Sequence, residues 1–235
     1  LFRSWAELDA AIHFSAARGF QVRTTADLDL DALRHVAGLP WGGRALVTAT
    51  VGAAPYGNPR AEARLQLERF KFLTLDLGAA SADLSYGPDF SLRLAGIKGQ
   101  RGQTRYDGFA TVDLGHQPIL VTASRFTAAG RLRDLFDAVL DWLPKTKVLR
   151  DVMDGQVVEL TARATGRAAA LDADFEGRLG PGELLGRRYD GGRLAGHVAA
   201  AREMRFDRLE LQYGPGTASA TGHWTMAPPF AWDLK

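Results

Sequence analysis

The 235-residue chain contains no cysteine, which excludes disulfides, thiolate metal sites and a cysteine nucleophile. It also contains no run of about 18 apolar residues, so no segment is predicted to span a bilayer as a helix. The sequence has no Gly-x-Ser-x-Gly elbow, no Ser-x-x-Lys pair and no His-Glu-x-x-His motif. Since no nucleophile, general base or cofactor loop stands out, the sequence predicts that the protein is not an enzyme.

The chain also has little net charge of either sign. The formal net charge is +2, and the lysines and arginines are scattered singly among acidic residues. We therefore expect no nucleic-acid partner. The prolines form no linker and 46% of the residues are hydrophobic, which indicates one continuous folded architecture.

Metal and cofactor sites are not predicted. The acidic alternations at 27–31 and 172–174 lack the glycine and glutamate of a calcium loop, so a solvated strand face explains them better. The glycine-rich segments at 96–102 and 180–186 do not join a strand to a helix and are interpreted as hairpin turns, not as phosphate-binding loops. The histidines show no metal-ligand spacing; they are His13, His35, His116, His197 and His223.

Apolar residues at every second position are the dominant pattern of the chain. In residues 61–68, Ala, Ala, Leu and Leu alternate with Glu, Arg, Gln and Glu, as in a strand with one solvated face. Similar segments recur along the chain, and turn sequences such as 87–89 (Gly-Pro-Asp) and 214–216 (Gly-Pro-Gly) separate them. The pattern predicts an all-β fold with minor helix, arranged as an antiparallel meander.

Two short helices are predicted between the strands. Residues 131–143 place leucines, a valine and a phenylalanine on one stripe and aspartates on the other, and Pro144 ends the helix. A weaker helix is predicted near 31–37 and ends at Gly38. Because the polar face of the first helix is acidic, we expect it to pack across the sheet instead of adsorbing to a membrane.

The two helices mark an internal repeat. Each contains Asp-Ala, is followed by Leu-Pro, and precedes a strand pair that starts at a glycine, Gly43 or Gly155. The predicted organisation is a first β-repeat at 1–125, a helical spacer at 126–150 and a second β-repeat at 151–235. Because the chain begins with leucine and ends in strand-like sequence, we expect it to be an internal section of a longer polypeptide.

The predicted sheet is wide and has one apolar face. Roughly 13 strands at about 4.8 Å each extend over about 60 Å, and so wide a twisted sheet curls or splits into two layers. A β-sandwich would also explain the pattern, but the apolar positions are mostly small and the helices are too few to cover them. We therefore predict a curved half-pipe with an apolar lining formed by Val47, Ala49, Val51, Ala63, Leu65, Leu67, Leu84, Phe90, Leu92, Leu94, Ala110, Val112, Leu114, Val158, Leu160, Leu171, Phe175, Leu194, Val198, Leu209, Leu211, Trp224 and Trp232.

Several segments together resemble the TamB/AsmA-like family. They are 31–46 (DALRHVAGLPWGGRAL), 63–67 (ARLQL), 82–86 (ADLSY) and 105–114 (RYDGFATVDL). The style of the repeat is similar: a helix and proline precede a Gly-Gly strand pair, short alternating strands follow, and a strand ending in Val-Asp-Leu closes the unit. One detail departs from the family, because Asp107 stands where a small residue is common.

The resemblance implies a lipid-transfer function. It implies a periplasmic protein, held in the inner membrane by a segment outside this chain, whose groove shelters phospholipid tails between the inner and outer membranes. It further implies a BamA-like outer-membrane partner for the full-length protein. The alternative is a β-rich module that conducts no lipid and assists outer-membrane protein assembly by binding through an edge strand.

Overall fold

The computed structural model describes residues 9–15, 19–32, 41–54, 57–72, 75–139, 146–167, 170–200, 202–225 and 232–234. Every strand in these ranges belongs to one antiparallel sheet. Consecutive strands pair with each other, except that β10 pairs with both β11 and β12. The 15 strands are β1 (Asp9–Ser15), β2 (Gly19–Asp29), β3 (Trp41–Ala53), β4 (Arg60–Phe72), β5 (Leu75–Tyr86), β6 (Ser91–Arg101), β7 (Thr104–Asp113), β8 (Leu120–Arg131), β9 (Met153–Arg167), β10 (Ala170–Leu184), β11 (Arg187–Tyr189), β12 (Gly191–Ala199), β13 (Glu203–Tyr213), β14 (Gly216–Thr225) and β15 (Trp232–Leu234).

The predicted fold class is confirmed: the chain forms an all-β, curved sheet that does not close on itself. An alternating sequence gives the sheet one apolar and one polar face, because successive side chains of a strand point to opposite faces. Along β4, half-buried residues from Ala61 to Leu65 and the buried Leu67 alternate with exposed charged and polar ones. No second sheet lies over the apolar face in the described ranges, so the sandwich alternative does not apply to them.

Two short helices, α1 (Leu132–Val139) and α2 (Thr146–Val152), lie between β8 and β9. The first was predicted; the second was not, because seven residues give too little periodic pattern. β8 continues through the predicted boundary at residue 125 as far as Arg131, so the helical spacer starts later than predicted. The other predicted helix, at 31–37, is described only as a helical turn at 30–32, and the rest lies outside the described residues.

The strand ends form two long rims of the half-pipe. One rim carries the connections after β1, β3, β5, β7, β9, β12 and β14, and we call it the turn rim. The other carries the connections after β2, β4, β6, β8, β10 and β13, and we call it the helix rim because α1, α2 and the helical turn at 30–32 belong to it.

Three clusters of buried apolar residues stabilise the sheet. The first lies at the helix rim, where Leu132 of α1 packs against Val157, Leu179, Tyr189 and Leu211. The second lies at the turn rim around Val198, Met204 and Trp224. The third lies at the helix rim around Leu30, Ala45 and Leu67. The clusters cover strand ends from β2 to β5 and from β9 to β14, and none of them includes a residue of β6, β7 or β8.

Candidate functional site: the apolar face of the half-pipe

The strand register aligns the apolar positions in rows across the sheet. One row joins Ala49, Ala63, Leu84, Leu94 and Ala110 through successive backbone pairs from β3 to β7. Directly paired residues point to the same face with Cβ atoms about 5 Å apart. The predicted lining therefore forms a continuous surface across these strands.

A second row lies one step closer to the turn rim. It joins Val51, Ala61, Tyr86, Leu92 and Val112. All members of both rows are half-buried, and none belongs to a buried cluster. We call these ten positions the open section, because neighbours on the same face shield them only in part.

Part of the predicted lining is packed against the protein itself. Leu160, Leu194, Leu209 and Leu211 contact the cluster around α1, and Phe175, Val198 and Trp224 belong to the cluster at the turn rim. Val47, Leu65 and Leu67 belong to the cluster around Leu30. These ten residues lie on the predicted face and also contact one of the buried clusters, so the protein itself covers them in part.

Val158 was assigned to the wrong face. A β-bulge interrupts the pairing of β9 with β10, so that Glu159 pairs with Arg178 while Val157 pairs with Leu179. The extra residue reverses the alternation. Val157 is therefore the inner residue, with 2% of its surface exposed, whereas Val158 is 44% exposed.

Three further predicted residues lie at the ends of strands. Phe90 precedes β6 in a turn and Leu114 follows β7, and both are exposed at the turn rim. Trp232 pairs with Trp224 through the backbone of β15, and its side chain lies outside the described residues. Leu171 lies on the inner face, where it pairs with Gly166, and belongs to no buried cluster.

The sequence prediction missed some inner-face residues. Val22 pairs with Val51, and Phe126 pairs with Gly108 and Ala162. Val22 begins a recognisable alternation, Val-Arg-Thr-Thr-Ala-Asp-Leu, which could have identified it. Nothing comparable could have identified Val157, because a bulge leaves no mark in the alternation around it.

Glycines on the inner face make room for large side chains. A Cβ atom on Gly108 would lie 2.7 Å from the ring of Phe126, and one on Gly196 would lie 2.6 Å from the ring of Phe175. Glycine at these two positions therefore leaves the space that the aromatic rings occupy.

The opposite face is polar and carries cross-strand ion pairs. Arg44 forms two hydrogen bonds with Asp27, and the bonded guanidinium lowers the pKa of Asp27. Arg64 pairs with Asp83, and Arg178 pairs with Glu159. A concavity of about 600 Å³ lies on this polar face near the helix rim, and its lining includes Arg44, Lys98 and Glu68. At its edge the concavity also touches Leu67 and Ala80 of the cluster around Leu30.

Two histidines of the described residues each contact one aspartate. His116 contacts Asp113, and His197 contacts Asp174. Within the described ranges, no three such side chains converge as metal ligands would. In the same ranges no helix has the length and apolar character needed to cross a membrane.

The comparisons with known proteins add no family. No family model, no curated protein and no solved structure matches the chain. The geometry of the apolar face is therefore the observation from which a function is inferred.

Proposed function

We propose that this chain is a section of a lipid-transport protein whose half-pipe shelters phospholipid acyl chains between two membranes. One observation carries the proposal: the open section is a continuous apolar surface across β3 to β7, and no second sheet in the described residues covers it. The resemblance of the sequence to the TamB/AsmA-like family supports the same function, and with it a periplasmic location and a BamA-like partner.

The energetics of the open section are compatible with an acyl chain as occupant. Each methylene removed from water contributes about 0.8 kcal/mol, so a chain of about 16 carbons gains on the order of 10 kcal/mol before ordering costs. The open section offers half-buried Ala, Val and Leu side chains together with Tyr86, and no charged ones. Such a surface can bind tails of varied structure, because apolar contacts are not directional as hydrogen bonds are.

A charge on the apolar face tests the proposal. Val112→Asp places a carboxylate in the open section, and we expect it to remove bound phospholipid while the fold survives, since the charge can reach water. Thr111→Asp is the matched control, because Thr111 is the preceding residue of β7 and faces the polar side opposite Arg93. Lipid extraction followed by mass spectrometry measures the content of each variant.

Two outcomes of this experiment would count against lipid binding. If Val112→Asp unfolds the protein while Thr111→Asp does not, the open section is an ordinary core. If both variants retain the lipid content of the unchanged protein, the lipid lies elsewhere.

The open sheet edges support a second candidate, the binding of a partner strand during outer-membrane protein assembly. In the described residues β1 and β15 each have one paired neighbour, β2 and β14, and a strand with one neighbour can pair with a strand of another chain. Asp233→Pro in the middle of β15 would remove a backbone donor. Loss of partner binding with unchanged lipid content would favour this candidate over transport.

A further inference from the structure

The two rims of the half-pipe differ in how they are built. At the helix rim the apolar face ends in packed clusters: Leu30 and Leu67 lie in one, and Leu132 and Leu211 in the other. The adjoining turn between β6 and β7 is bonded to α1, since Asp134 accepts hydrogen bonds from the backbone of Gln103 and from the hydroxyl of Thr104. This rim is closed by protein over β2–β5 and β9–β13.

The turn rim of β3 to β7 carries exposed apolar side chains instead of a packed cluster. Phe90 is 53% exposed and Leu114 is 39% exposed, and the Leu114 amide donates to the Phe90 carbonyl. Phe90 has a φ of +60°, which is unfavourable for an aromatic residue. The turn between β3 and β4 is hydrogen-bonded to the turn between β5 and β6, because the side-chain amide of Asn58 donates to the carbonyl of Pro88. An ordered rim therefore holds apolar side chains in solvent.

The strands are longer than a phospholipid tail, so the difference between the two rims bears on how a lipid can be oriented. β3 and β4 have 13 residues each, which corresponds to about 40 Å of extended chain. The tails of one bilayer leaflet reach only about 15 Å, half of a hydrocarbon core of about 30 Å. A bound tail thus covers little more than a third of the strand, and along β3 to β5 the packed cluster around Leu30 lies in the part that a tail entering from the turn rim would not reach.

A cation at the turn rim complements a phosphate group. Arg60 is the first residue of β4, is exposed at this end of the strand, and forms no ion pair among the residues that the structure describes. Guanidinium groups bind phosphate oxygens strongly.

From these four observations we infer that phospholipid binds with its headgroup at the turn rim of β3 to β7 and its tails directed over the open section toward the closed helix rim. This inference rests on the proposed function and adds to it the orientation of the bound lipid. It assigns Arg60 to the phosphate and Phe90 and Leu114 to the boundary between headgroup and tails, where aromatic side chains are favoured at lipid interfaces.

Single fluorescent labels test the polarity, and the chain is suited to them because it contains no cysteine. Ala54→Cys places a label at the turn rim, and Lys71→Cys places one at the helix rim; both positions are exposed. Each labelled protein is loaded with phospholipid that carries a nitroxide either on the headgroup or at the end of a tail. Native mass spectrometry of the same samples measures how much lipid is bound.

We expect the headgroup nitroxide to quench the label at position 54 several-fold more than the label at position 71. Equal quenching at the two positions, stronger quenching at 71, or bound lipid that quenches neither label would overturn the inference while leaving lipid binding intact. If no lipid is bound in either sample, the proposed function itself fails.

A charge reversal provides an independent test. Arg60→Glu should reduce the amount of bound phospholipid several-fold, whereas Lys71→Glu, at the other end of the same strand, should leave it unchanged. Equal effects of the two variants would contradict a role for Arg60 in binding the phosphate.

Discussion

Val157 and Val158 are chemically identical neighbours, yet the β-bulge in β9 buries one and exposes the other. The sequence pattern assigned Val158 to the apolar face because period-two alternation cannot register an inserted residue. At the level of single residues, alternation therefore predicts faces well between bulges and fails at them.

Because of the bulge, we expect substitutions of Val157 and Val158 to change the free energy of unfolding by different amounts. Val157→Ala should lower the free energy of unfolding by about 2 kcal/mol, since it removes buried methyl groups from the cluster around Leu132. Val158→Ala should change it by less than about 0.5 kcal/mol. Urea denaturation of both variants measures the difference, and equal losses would show that the bulge is misplaced.

Tyr106 makes stability depend on pH in the alkaline range. Its ring lies over Gly99, its hydroxyl donates to the Leu77 carbonyl at 2.7 Å, and burial raises its pKa to about 12. Since the folded state favours the neutral phenol, this stabilisation is complete below pH 10, the ordinary pKa, and is lost as the pH rises through about 12.

We therefore expect the free energy of unfolding to fall between pH 10 and about 12, and to fall less in Tyr106→Phe. The variant should itself cost about 1 kcal/mol at neutral pH, because the hydrogen bond is lost. The tyrosinate absorbance of the folded protein checks the cause: titration of all five tyrosines at their ordinary pKa would contradict it.

At the level of elements, α1 was predicted from its apolar stripe and its terminating proline, and its packing across the sheet agrees with the contacts of Leu132, Leu135 and Phe136. Its attachment to the β6–β7 turn was not predictable, because Asp134 lies 31 residues from its partner Gln103. Contacts of that sequence separation depend on the completed sheet.

The attachment through Asp134 should determine how firmly α1 is held. Asp134→Ala removes a charged acceptor of two hydrogen bonds, and we expect a loss of about 2 kcal/mol together with faster amide hydrogen exchange in α1. Arg133→Ala, an exposed neighbour on the same helix, is the control and should change neither. Unchanged exchange in Asp134→Ala would mean that apolar packing alone holds the helix.

At the level of the whole molecule, the sequence predicted the all-β class, the open curved sheet and a continuous apolar face. It did not predict which part of that face the protein covers itself. That division depends on where α1 and the turn at 30–32 fold back, so Leu211 and Val112 give the same pattern in sequence and differ in burial. The open section is consequently smaller than the predicted lining and is concentrated in β3 to β7.

The central claim is that acyl chains occupy the open section. Native mass spectrometry of protein purified without detergent tests it most directly. We expect a species whose added mass corresponds to bound phospholipid, and we expect that species to be absent in Val112→Asp and present in Thr111→Asp. Repeated preparations of the unchanged protein that carry no phospholipid would contradict the claim.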